Sequence, residues 1–475
     1  MTLSHRWGSA NNILKLQRSN YERLCAGFPI AILPQCFQDA IEVTRFFDVQ
    51  YLWIDSLCIF QDEDDLGDWI RESSIMMTVY ASSMLNISSL AAKDSSHSFF
   101  SRPNPVSAWV PEVDIDLERL GVGSGKKRFA FIDAESWWGN ISDASLNQRA
   151  WVLQERLLAP RVLHSGRNGL AWECNQLNVS EVFPEGLPSI TQCGTFKALN
   201  PQQYSESQLS LDSPSLGPRF ESYRMWRTIV HNYTLCSLTK SRDKLVALSG
   251  VAKHFLPIVN DKYVAGMWLR HLHLEILWYT RNNDLARRQP DYRAPSWSWA
   301  STDGEVILSE PDERGTQLDV IETALDYATR DPTGELRAGS LLLDCNLTTL
   351  RLHHQVTSRE DGFTLTVGAS EFCDINYLRV YLDESIQYFD PSQHNGGDLY
   401  CAPAHFWNDE DRNAEMVILL LQVVDSEQGT FRRIGIAIAN DRTGVASVLA
   451  ASCGLTPTAL PCVRRAGERY VIRLI

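Results

Sequence analysis

The segment around Asp55 constrains the fold more than any other part of the chain. An apolar run at residues 51–54 leads directly into Asp55 and Ser56, and a helix-like stretch carrying Trp69 and Glu72 follows an acidic loop. Open α/β folds bind ligands beyond the carboxyl ends of their strands, where polar residues follow an apolar strand. The segment therefore predicts a buried sheet and a ligand site at one of its edges.

Strand-like and helix-like segments alternate through the first 165 residues. Strands that alternate with helices favour a mainly parallel sheet. We therefore expect an α/β domain over residues 1–183. Its predicted segments are strands at 1–3, 51–54, 84–87, 128–132 and 161–164, and helices at 34–47, 65–81 and 147–158.

The rest of the chain changes character twice. Residues 184–218 are rich in Pro, Ser, Gln and Gly and are predicted to form a loop or linker. Helical spacing predicts a helical region over residues 219–305, and short β-like runs, with a hairpin around residues 425–429, predict a β-rich region over 306–475. Trp297 and Trp299 alternate, so we expect both on one face of an extended strand, packed in a core.

Composition excludes several classes of function. The chain has 475 residues with a net charge of −14, which argues against nucleic acid or an anionic membrane as partner. No apolar run is long enough to cross a membrane, and no apolar leader is present. The eleven cysteines lack a Cys-x-x-Cys pair, and the acidic run at 62–65 lacks the spacing of a calcium loop. We expect a cytoplasmic protein with reduced thiols and no metal site.

Three blocks of the sequence resemble the fungal heterokaryon incompatibility (HET) domain. They are LSHRWG at residues 3–8, the stretch 33–83 that contains LWIDSLC, and RAWVLQERLLAPRVLH at 149–164. The strings DKLVALSGVA at 243–252 and YRAPSWSWAS at 292–301 look like the downstream region of long fungal members. Such proteins usually carry a full strand ahead of the first block, so we expect a shortened first strand here.

The resemblance implies nonself recognition or programmed cell death signalling in a fungus, through protein partners or self-association. It also implies a fold similar to TIR and flavodoxin-like domains, and some TIR domains cleave NAD. The alternative function is therefore a hydrolase of NAD(P) or another nucleotide, with NAD as a substrate and no bound cofactor. A scaffold recruited to other enzymatic chemistry is a third hypothesis.

The three blocks supply the candidate substrate-binding residues. If the strands before Ser4 and Asp55 are neighbours, their loops meet at one crevice. Arg6 would hold a phosphate or carboxylate, and Trp7 would stack on a ring. The alternative is that Asp55 caps the next turn and the charged residues form a buried network that orders the core. The full set of candidates is Ser4, His5, Arg6, Trp7, Ser56, Arg149, Gln154, Glu155 and Arg156.

Glu72 and Asp55 are the candidate catalytic carboxylates. Glu72 lies about 60° from the helical stripe that contains Trp69, at the margin of an apolar face, where partial burial raises a carboxyl pKa. The spacing Trp69-x-x-Glu72 is similar to the Trp-Cys-x-x-Glu element of NAD-cleaving TIR domains. The alternative for Glu72 is an ion pair with a neighbour of Arg71, with Arg149 or with Arg156. A nucleophile formed by Cys58 and His5 is less favoured than a structural thiol.

Overall fold

The computed structural model describes residues 1–8, 13–62, 64, 66–100, 110–191, 196–199, 218–281, 286–309, 315–356, 361–367, 370–372, 378–389, 398–408, 414–440 and 460–475. The chain divides into two compact units, Met1–Gln208 and Leu209–Ile475. The finer division into four regions stays a prediction. Most of the predicted linker, namely residues 192–195 and 200–217, lies outside the described residues, as do residues 63 and 65 of the acidic run.

The N-terminal unit mixes helices and strands, as the alternating pattern predicts. Short 3-10 helices lie at Ile30–Ile32, Ser189–Thr191 and Phe196–Leu199, and a π-helix lies at Trp138–Ser142. The helices and strands are β1 (Thr2–Ser4), α1 (Tyr21–Cys25), α2 (Gln35–Phe46), α3 (Asp55–Cys58), α4 (Gly67–Ala81), β2 (Asn86–Ser88), β3 (Glu112–Asp116), β4 (Lys126–Ala130), α5 (Ala150–Leu158), β5 (Arg161–Gly166), β6 (Gly169–Cys174) and β7 (Asn178–Ser180).

The main sheet of this unit has the order β1-β2-β5-β6-β7. β1 pairs parallel with β2, and β2 pairs parallel with β5, whereas β6 and β7 continue antiparallel. The predicted α/β class is confirmed, but the sheet is mixed and not mainly parallel. The cause is local: only Arg167 and Asn168 connect β5 to β6, and a two-residue connection can join only antiparallel strands.

The predicted strand at residues 51–54 is reduced to one parallel bridge between Trp53 and Thr2. Three backbone hydrogen bonds nevertheless hold this segment beside β1. The amino group of Met1 donates to the carbonyl of Tyr51 at 2.7 Å, Trp53 N–H donates to Met1 at 2.9 Å, and Leu3 N–H donates to Trp53 at 3.1 Å. The extended segment therefore runs along the edge of the sheet and delivers α3 beside the end of β1.

The core of the N-terminal unit lies between α2 and the parallel strands. Phe37 and Ala40 on one face of α2 pack with Leu3 of β1, Ile87 of β2 and Ile54. Apolar residues at three- and four-residue spacing place a single stripe of α2 against the sheet. This packing fixes the position of the carboxyl ends of β1 and β2.

The C-terminal unit begins with helices and continues as a large sheet. A 3-10 helix lies at each of Ser241–Lys244, Leu269–His271 and Trp299–Ser301. The helices and strands are α6 (Pro218–Thr234), α7 (Val246–Val259), β8 (Tyr263–Val264), β9 (Met267–Trp268), α8 (Leu272–Glu275), β10 (Tyr279–Thr280), β11 (Arg287–Arg288), β12 (Thr302–Asp303), β13 (Val306–Ile307), β14 (Asp319–Tyr327), β15 (Leu336–Cys345), β16 (Thr348–Val356), β17 (Asp361–Val367), β18 (Ser370–Phe372), β19 (Leu378–Leu382), β20 (Leu399–Asn408), β21 (Ala414–Asp425), β22 (Thr430–Ala439), β23 (Arg464–Ala466) and β24 (Arg469–Leu474).

The β-rich character predicted for the C-terminal region is confirmed. Its sheet has the order β14-β15-β24-β22-β21-β20-β16-β17-β18, with β19 on β22 and β23 on β24. The predicted hairpin around residues 425–429 is present, because β21 and β22 pair antiparallel on either side of that turn. No helix among the described residues is long and apolar enough to cross a membrane.

Trp297 and Trp299 do not lie on an extended strand. Ser298 caps a 3-10 helix that begins at Trp299, and its side-chain oxygen accepts a hydrogen bond from Ala300 N–H at 3.1 Å. Local capping by serine competes with strand geometry and turns the chain here. Both indole rings are fully buried, which confirms the prediction that they pack in a core.

Candidate functional site

Polar residues from the first two sequence blocks meet at the carboxyl end of the parallel strands. Ser4 at the end of β1 pairs in register with Ser88 at the end of β2. Asp55 begins α3 directly after the segment that runs beside β1. β1 and the extended segment before Asp55 are therefore neighbours, which is the condition that the sequence sets for a common crevice.

Asp55 lies at the centre of this edge. Trp7 Nε1 donates to Asp55 Oδ2 at 2.9 Å, and His5 Nδ1 lies 3.8 Å from Asp55 Oδ1. The same carboxylate accepts the Ser56 N–H at 2.7 Å, so it also stabilises the first turn of α3. A quarter of the Asp55 side chain, 25%, is exposed. Asp55 thus combines the turn-stabilising role and the contacts expected of a crevice.

Glu155 brings the third sequence block to the same edge. The residue is 6% exposed, and the hydroxyl of Ser4 donates a hydrogen bond to its Oε2. Burial raises the pKa of Glu155 to about 7, and the Asp55 carboxylate adds to this effect. The Ser4 hydroxyl, Arg149 and Tyr80 oppose the rise because they favour the charged form.

His5 and Arg149 link β1 to the start of α5. Arg149 Nη1 donates to the His5 carbonyl at 2.7 Å, which ties the N-cap of α5 to the end of β1. Burial lowers the pKa of His5; Asp55 opposes this shift, and Arg149 adds to it. The ring packs edge-on against Phe37 at 4.9 Å, and its Nε2 has no hydrogen-bond partner among the described residues.

Arg6 and Trp7 form the more accessible rim. Both are half-buried. Arg6 Nη1 donates to Ser145 Oγ at 3.1 Å, and Lys15 Nζ lies 5.4 Å from the centre of the Trp7 ring. Ser56, by contrast, is fully buried, and its hydroxyl has no hydrogen-bond partner among the described residues.

Arg156 belongs to a separate buried network. Its Nε and Nη2 donate to the two carboxylate oxygens of Glu173 at 2.7 and 2.9 Å, and His164 Nε2 lies 3.0 Å from the same group. Arg156 therefore links α5 to β6 through Glu173. Gln154 is 1% exposed, and its Nε2 has no hydrogen-bond partner among the described residues.

Glu72 lies on α4 and pairs with its chain neighbour. Arg71 Nε is 3.2 Å from Glu72 Oε1, and the Glu72 side chain is 19% exposed. Although part of Cys58 is exposed, desolvation raises the pKa of its thiol, and the carboxylates of Asp55 and Glu72 raise it further. A raised thiol pKa disfavours the thiolate that a Cys58 nucleophile needs. Both carboxylates are therefore close enough to the Cys58 thiol to act on it electrostatically.

Two residues of the cluster were missed at the sequence level. Tyr80 is fully buried, and its pKa is raised by burial and by the nearby carboxylates of Glu155 and Asp55. Asn86 of β2 accepts from Thr2 Oγ1 at 3.0 Å and donates to Ser4 Oγ at 3.0 Å. For Asn86 the available signal was a polar side chain in the otherwise apolar run at residues 84–87, since buried polar groups are almost always paired.

This arrangement can move a proton near neutral pH. A carboxyl group with a pKa close to the working pH can act as a general acid or base, and Glu155 meets that condition. Its buried position leaves Asp55 and Trp7 as the accessible part of the cluster. A cavity of about 350 Å³ in the same unit is lined by other residues, among them Phe131, Trp137 and Leu170.

The comparisons with known proteins support one family. The model of the heterokaryon incompatibility protein (HET) family matches residues 1–155. The first two sequence blocks and the start of the third lie inside this match. Searches of curated proteins and of solved structures give no significant match to this chain. The first 155 of its 475 residues therefore match a heterokaryon incompatibility domain.

Proposed function

We propose that this protein acts in nonself recognition and programmed cell death signalling in a fungus, with the HET domain as its effector part. One observation supports the proposal. The family match covers residues 1–155, and side chains from its three blocks, Ser4, Asp55 and Glu155, meet at one edge of the sheet. The segments that define the family are thus also those that build the cluster.

The contacts within the cluster favour a signalling module. Ser4 and Glu155 are buried and hydrogen-bonded to each other, and the backbone carbonyl of the buried His5 accepts from Arg149. Groups that satisfy each other order a domain and hold it in a defined state. A module of this kind acts through association with protein partners or with further copies of itself. The TIR-like or flavodoxin-like ancestry and the cytoplasmic location remain part of this proposal.

Expression in a filamentous fungus tests the proposal. The full-length protein is placed under a regulated promoter, and viable colonies are counted with and without fusion to nonself strains. We expect loss of viability, and we expect Asp55→Ala to abolish it because the variant loses the acceptor of Trp7. Glu118→Ala, at an exposed residue outside the cluster, is the matched control and should stay toxic. Normal growth under all of these conditions would contradict the proposal.

Nucleotide cleavage is the second candidate function. The observation that favours it is a carboxyl group with a pKa of about 7, Glu155, coupled to the partly exposed Asp55. In this mechanism Trp7 and Arg6 would bind the substrate, and Glu72 would serve as a second carboxylate beside Cys58. NAD is the substrate to test first, with NADP beside it.

Release of nicotinamide by the purified full-length protein decides this second candidate. Glu155→Gln should reduce the rate about 100-fold or more if Glu155 is the general acid or base. Glu72→Gln tests the second carboxylate in the same assay, and Glu118→Gln should leave the rate unchanged. Absence of nicotinamide release, or release that neither Glu155→Gln nor Glu72→Gln reduces, would exclude a catalytic role for these carboxylates.

A further inference from the structure

The C-terminal unit contains a cavity of about 570 Å³ beside the segment 292–301. Tyr292, Arg293 and Ser296 of that segment line it, together with Arg288 of β11 and Arg432 of β22. Small-molecule sites are typically cavities of roughly 300–1,000 Å³ with a few polar groups on an apolar lining. The cavity therefore has the size of a ligand site, and the function proposed for the HET domain does not use it.

Arg293 is held rigidly at the wall of this cavity. The residue is 6% exposed; its Nε donates to the Ala300 carbonyl at 2.7 Å, and its Nη1 lies 2.9 Å from Asp303 Oδ1. The remaining nitrogen, Nη2, is buried and has no hydrogen-bond partner among the described residues. A buried guanidinium nitrogen without an acceptor costs free energy, so the site favours an acceptor that arrives with a ligand.

Arg288, in β11, is also held in place at the cavity by protein groups. Its Nη2 donates to Asp383 Oδ2 at 2.8 Å and to the Arg433 carbonyl at 2.7 Å. Its Nε is buried and has no hydrogen-bond partner among the described residues. Two guanidinium groups on the same cavity thus retain a donor that the protein does not use.

Three arginines line the cavity, Arg288, Arg293 and Arg432. Asp383 is shared by Arg288 and Arg433, with both ion pairs at 2.8 Å. Burial lowers the pKa of Arg432, and the adjacent Arg288 lowers it further. Clustered arginines in a chain with a net charge of −14 are a local exception that attracts an anion.

Asp303 also pairs with two cations, Lys244 and Arg293. Lys244 lies 3.7 Å from its Oδ1 and Arg293 lies 2.9 Å from the same atom. Burial lowers the pKa of Lys244 to about 7, with the Arg293 guanidinium as the next contribution. Like charges this close disfavour one another, and an anion in the cavity would relieve that repulsion.

The mouth of the cavity is apolar. Tyr292 is 49% exposed and Val424 is 53% exposed, and both line the opening. Exposed apolar side chains beside buried cations suit a ligand with an anionic head and a planar or aliphatic body. Two carboxylates belong to the described lining: that of Asp291, which lies on the exposed rim, and the terminal carboxylate of Ile475, the last residue of the chain.

We propose that this cavity binds a small organic anion, with a phosphate or carboxylate group at Arg288, Arg293 and Arg432 and an apolar body against Tyr292. Arginine is suited to this role because its planar guanidinium group matches phosphate and carboxylate oxygens. The segment 292–301 then has two tasks: its tryptophans pack the core, and its arginine faces a ligand.

Calorimetric titration of the full-length protein tests this proposal with phenyl phosphate, benzoate and inorganic phosphate as probes. We expect saturable binding that weakens as salt is raised, because charged contacts are screened. Arg432→Gln should weaken binding of phenyl phosphate about tenfold. Tyr292→Ala should weaken phenyl phosphate and leave inorganic phosphate unchanged. Asp291→Asn should strengthen both, since it removes the carboxylate at the rim.

Arg351→Gln is the matched control, because Arg351 is an exposed arginine of the same sheet outside the cavity. It should bind like the unmodified protein. Arg293→Gln is informative only where circular dichroism shows a folded chain, whereas Arg432 is half-buried and its variant keeps the test decisive. Failure of all three probes to bind, or equal binding by the Arg432→Gln and Arg351→Gln variants, would overturn the proposal. The binding test does not measure fungal toxicity, so its result does not depend on the function proposed for the HET domain.

Discussion

Trp7 Nε1 donates a hydrogen bond of 2.9 Å to Asp55 Oδ2, a residue 48 positions further along the chain, and so joins the first sequence block to the second. The same carboxylate raises the pKa of Glu155, which belongs to the third block. Asp55, in the second block, therefore interacts with the first block through a hydrogen bond and with the third block through its charge. Removal of the Asp55 charge should change the pKa of Glu155, and removal of the Glu155 carboxyl should change how the stability of the protein depends on pH.

Asp55→Asn should lower the pKa of Glu155. The variant retains an oxygen that can accept from Trp7, but it removes the negative charge that helps to raise the pKa of Glu155 to about 7. The measurement is an NMR titration of the protein with ¹³C-labelled glutamate carboxyl groups, in which the Glu155 signal is assigned by its loss in Glu155→Gln. Asp62→Asn, in the loop after α3, is the control and should leave that titration unchanged. An unaltered Glu155 titration in Asp55→Asn would show that the two carboxyls are not coupled.

Glu155→Gln should make the protein more resistant to rising pH. The folded pKa of about 7 lies above the ordinary value of 4.5, so the folded state holds this proton more tightly than the unfolded state. The associated stability is fully present below the ordinary pKa and is lost as pH rises through 7. The loss is on the order of 3 kcal/mol by linkage. Glutamine mimics the protonated acid and keeps the Ser4 hydrogen bond without ionising.

The measurement is the unfolding midpoint in urea of both proteins at pH 5 and pH 8. The urea midpoint of Glu155→Gln should exceed that of the unmodified protein by more at pH 8 than at pH 5. The midpoint of Glu118→Gln, a substitution at an exposed carboxyl, should differ from that of the unmodified protein by the same amount at both pH values. A constant difference for Glu155→Gln as well would mean that Glu155 is ionised throughout.

Local pattern predicts several elements of this fold. The helix expected at 65–81 is α4, Gly67–Ala81, and the hairpin expected around 425–429 joins β21 to β22. These elements are set by apolar spacing within a few residues, which a sequence displays directly. The segment 51–54 is different, because whether an extended run becomes a strand depends on how many partners the fold places beside it.

The candidate site could be predicted only in outline. Neighbouring strands bring Ser4 and Asp55 together, and parallel-sheet logic anticipates that meeting. The pairing of Arg156 with Glu173 is set by the antiparallel turn from β5 into β6, which the alternating pattern did not reveal. The raised pKa of Glu155 depends on three-dimensional burial, and no local spacing encodes that quantity.

Arg156→Ala should strongly destabilise the N-terminal unit. Arg156 holds both oxygens of Glu173, and both residues are buried, so the substitution leaves an uncompensated carboxylate. Removal of one partner of a buried ion pair typically costs about 3–5 kcal/mol. Arg156 also holds the pKa of Glu173 well below its usual range against the opposing effect of burial, so the pKa of Glu173 should rise in the variant.

The control is Arg161→Ala, at an exposed arginine whose Nη1 is 3.4 Å from the Met84 carbonyl. It should cost less than about 1 kcal/mol, as surface substitutions generally do. Thermal unfolding followed by circular dichroism compares the two variants. Equal melting temperatures for Arg156→Ala and Arg161→Ala would show that the Glu173 network does not stabilise the domain.

Gly266→Ala should destabilise the C-terminal unit through two tryptophans at once. The Gly266 carbonyl accepts from Trp226 Nε1 at 3.1 Å and from Trp299 Nε1 at 2.9 Å, and both rings are fully buried. Gly266 has a φ of +95°, and an added Cβ would lie 2.7 Å from Trp299 Nε1. The variant therefore combines an unfavourable backbone conformation with overpacking and a displaced hydrogen-bond acceptor.

Gly467→Ala separates these effects, because Gly467 has a φ of +65° and an added Cβ would meet nothing within 4 Å. Gly467→Ala should lower the free energy of unfolding by about 1 kcal/mol through the backbone conformation alone, whereas Gly266→Ala should lower it by at least about 2 kcal/mol more. Urea unfolding gives the free energy, and tryptophan fluorescence at the midpoint reports the buried indoles. If the two alanine variants lose the same stability, the contact between Gly266 and Trp299 does not constrain the packing of this unit.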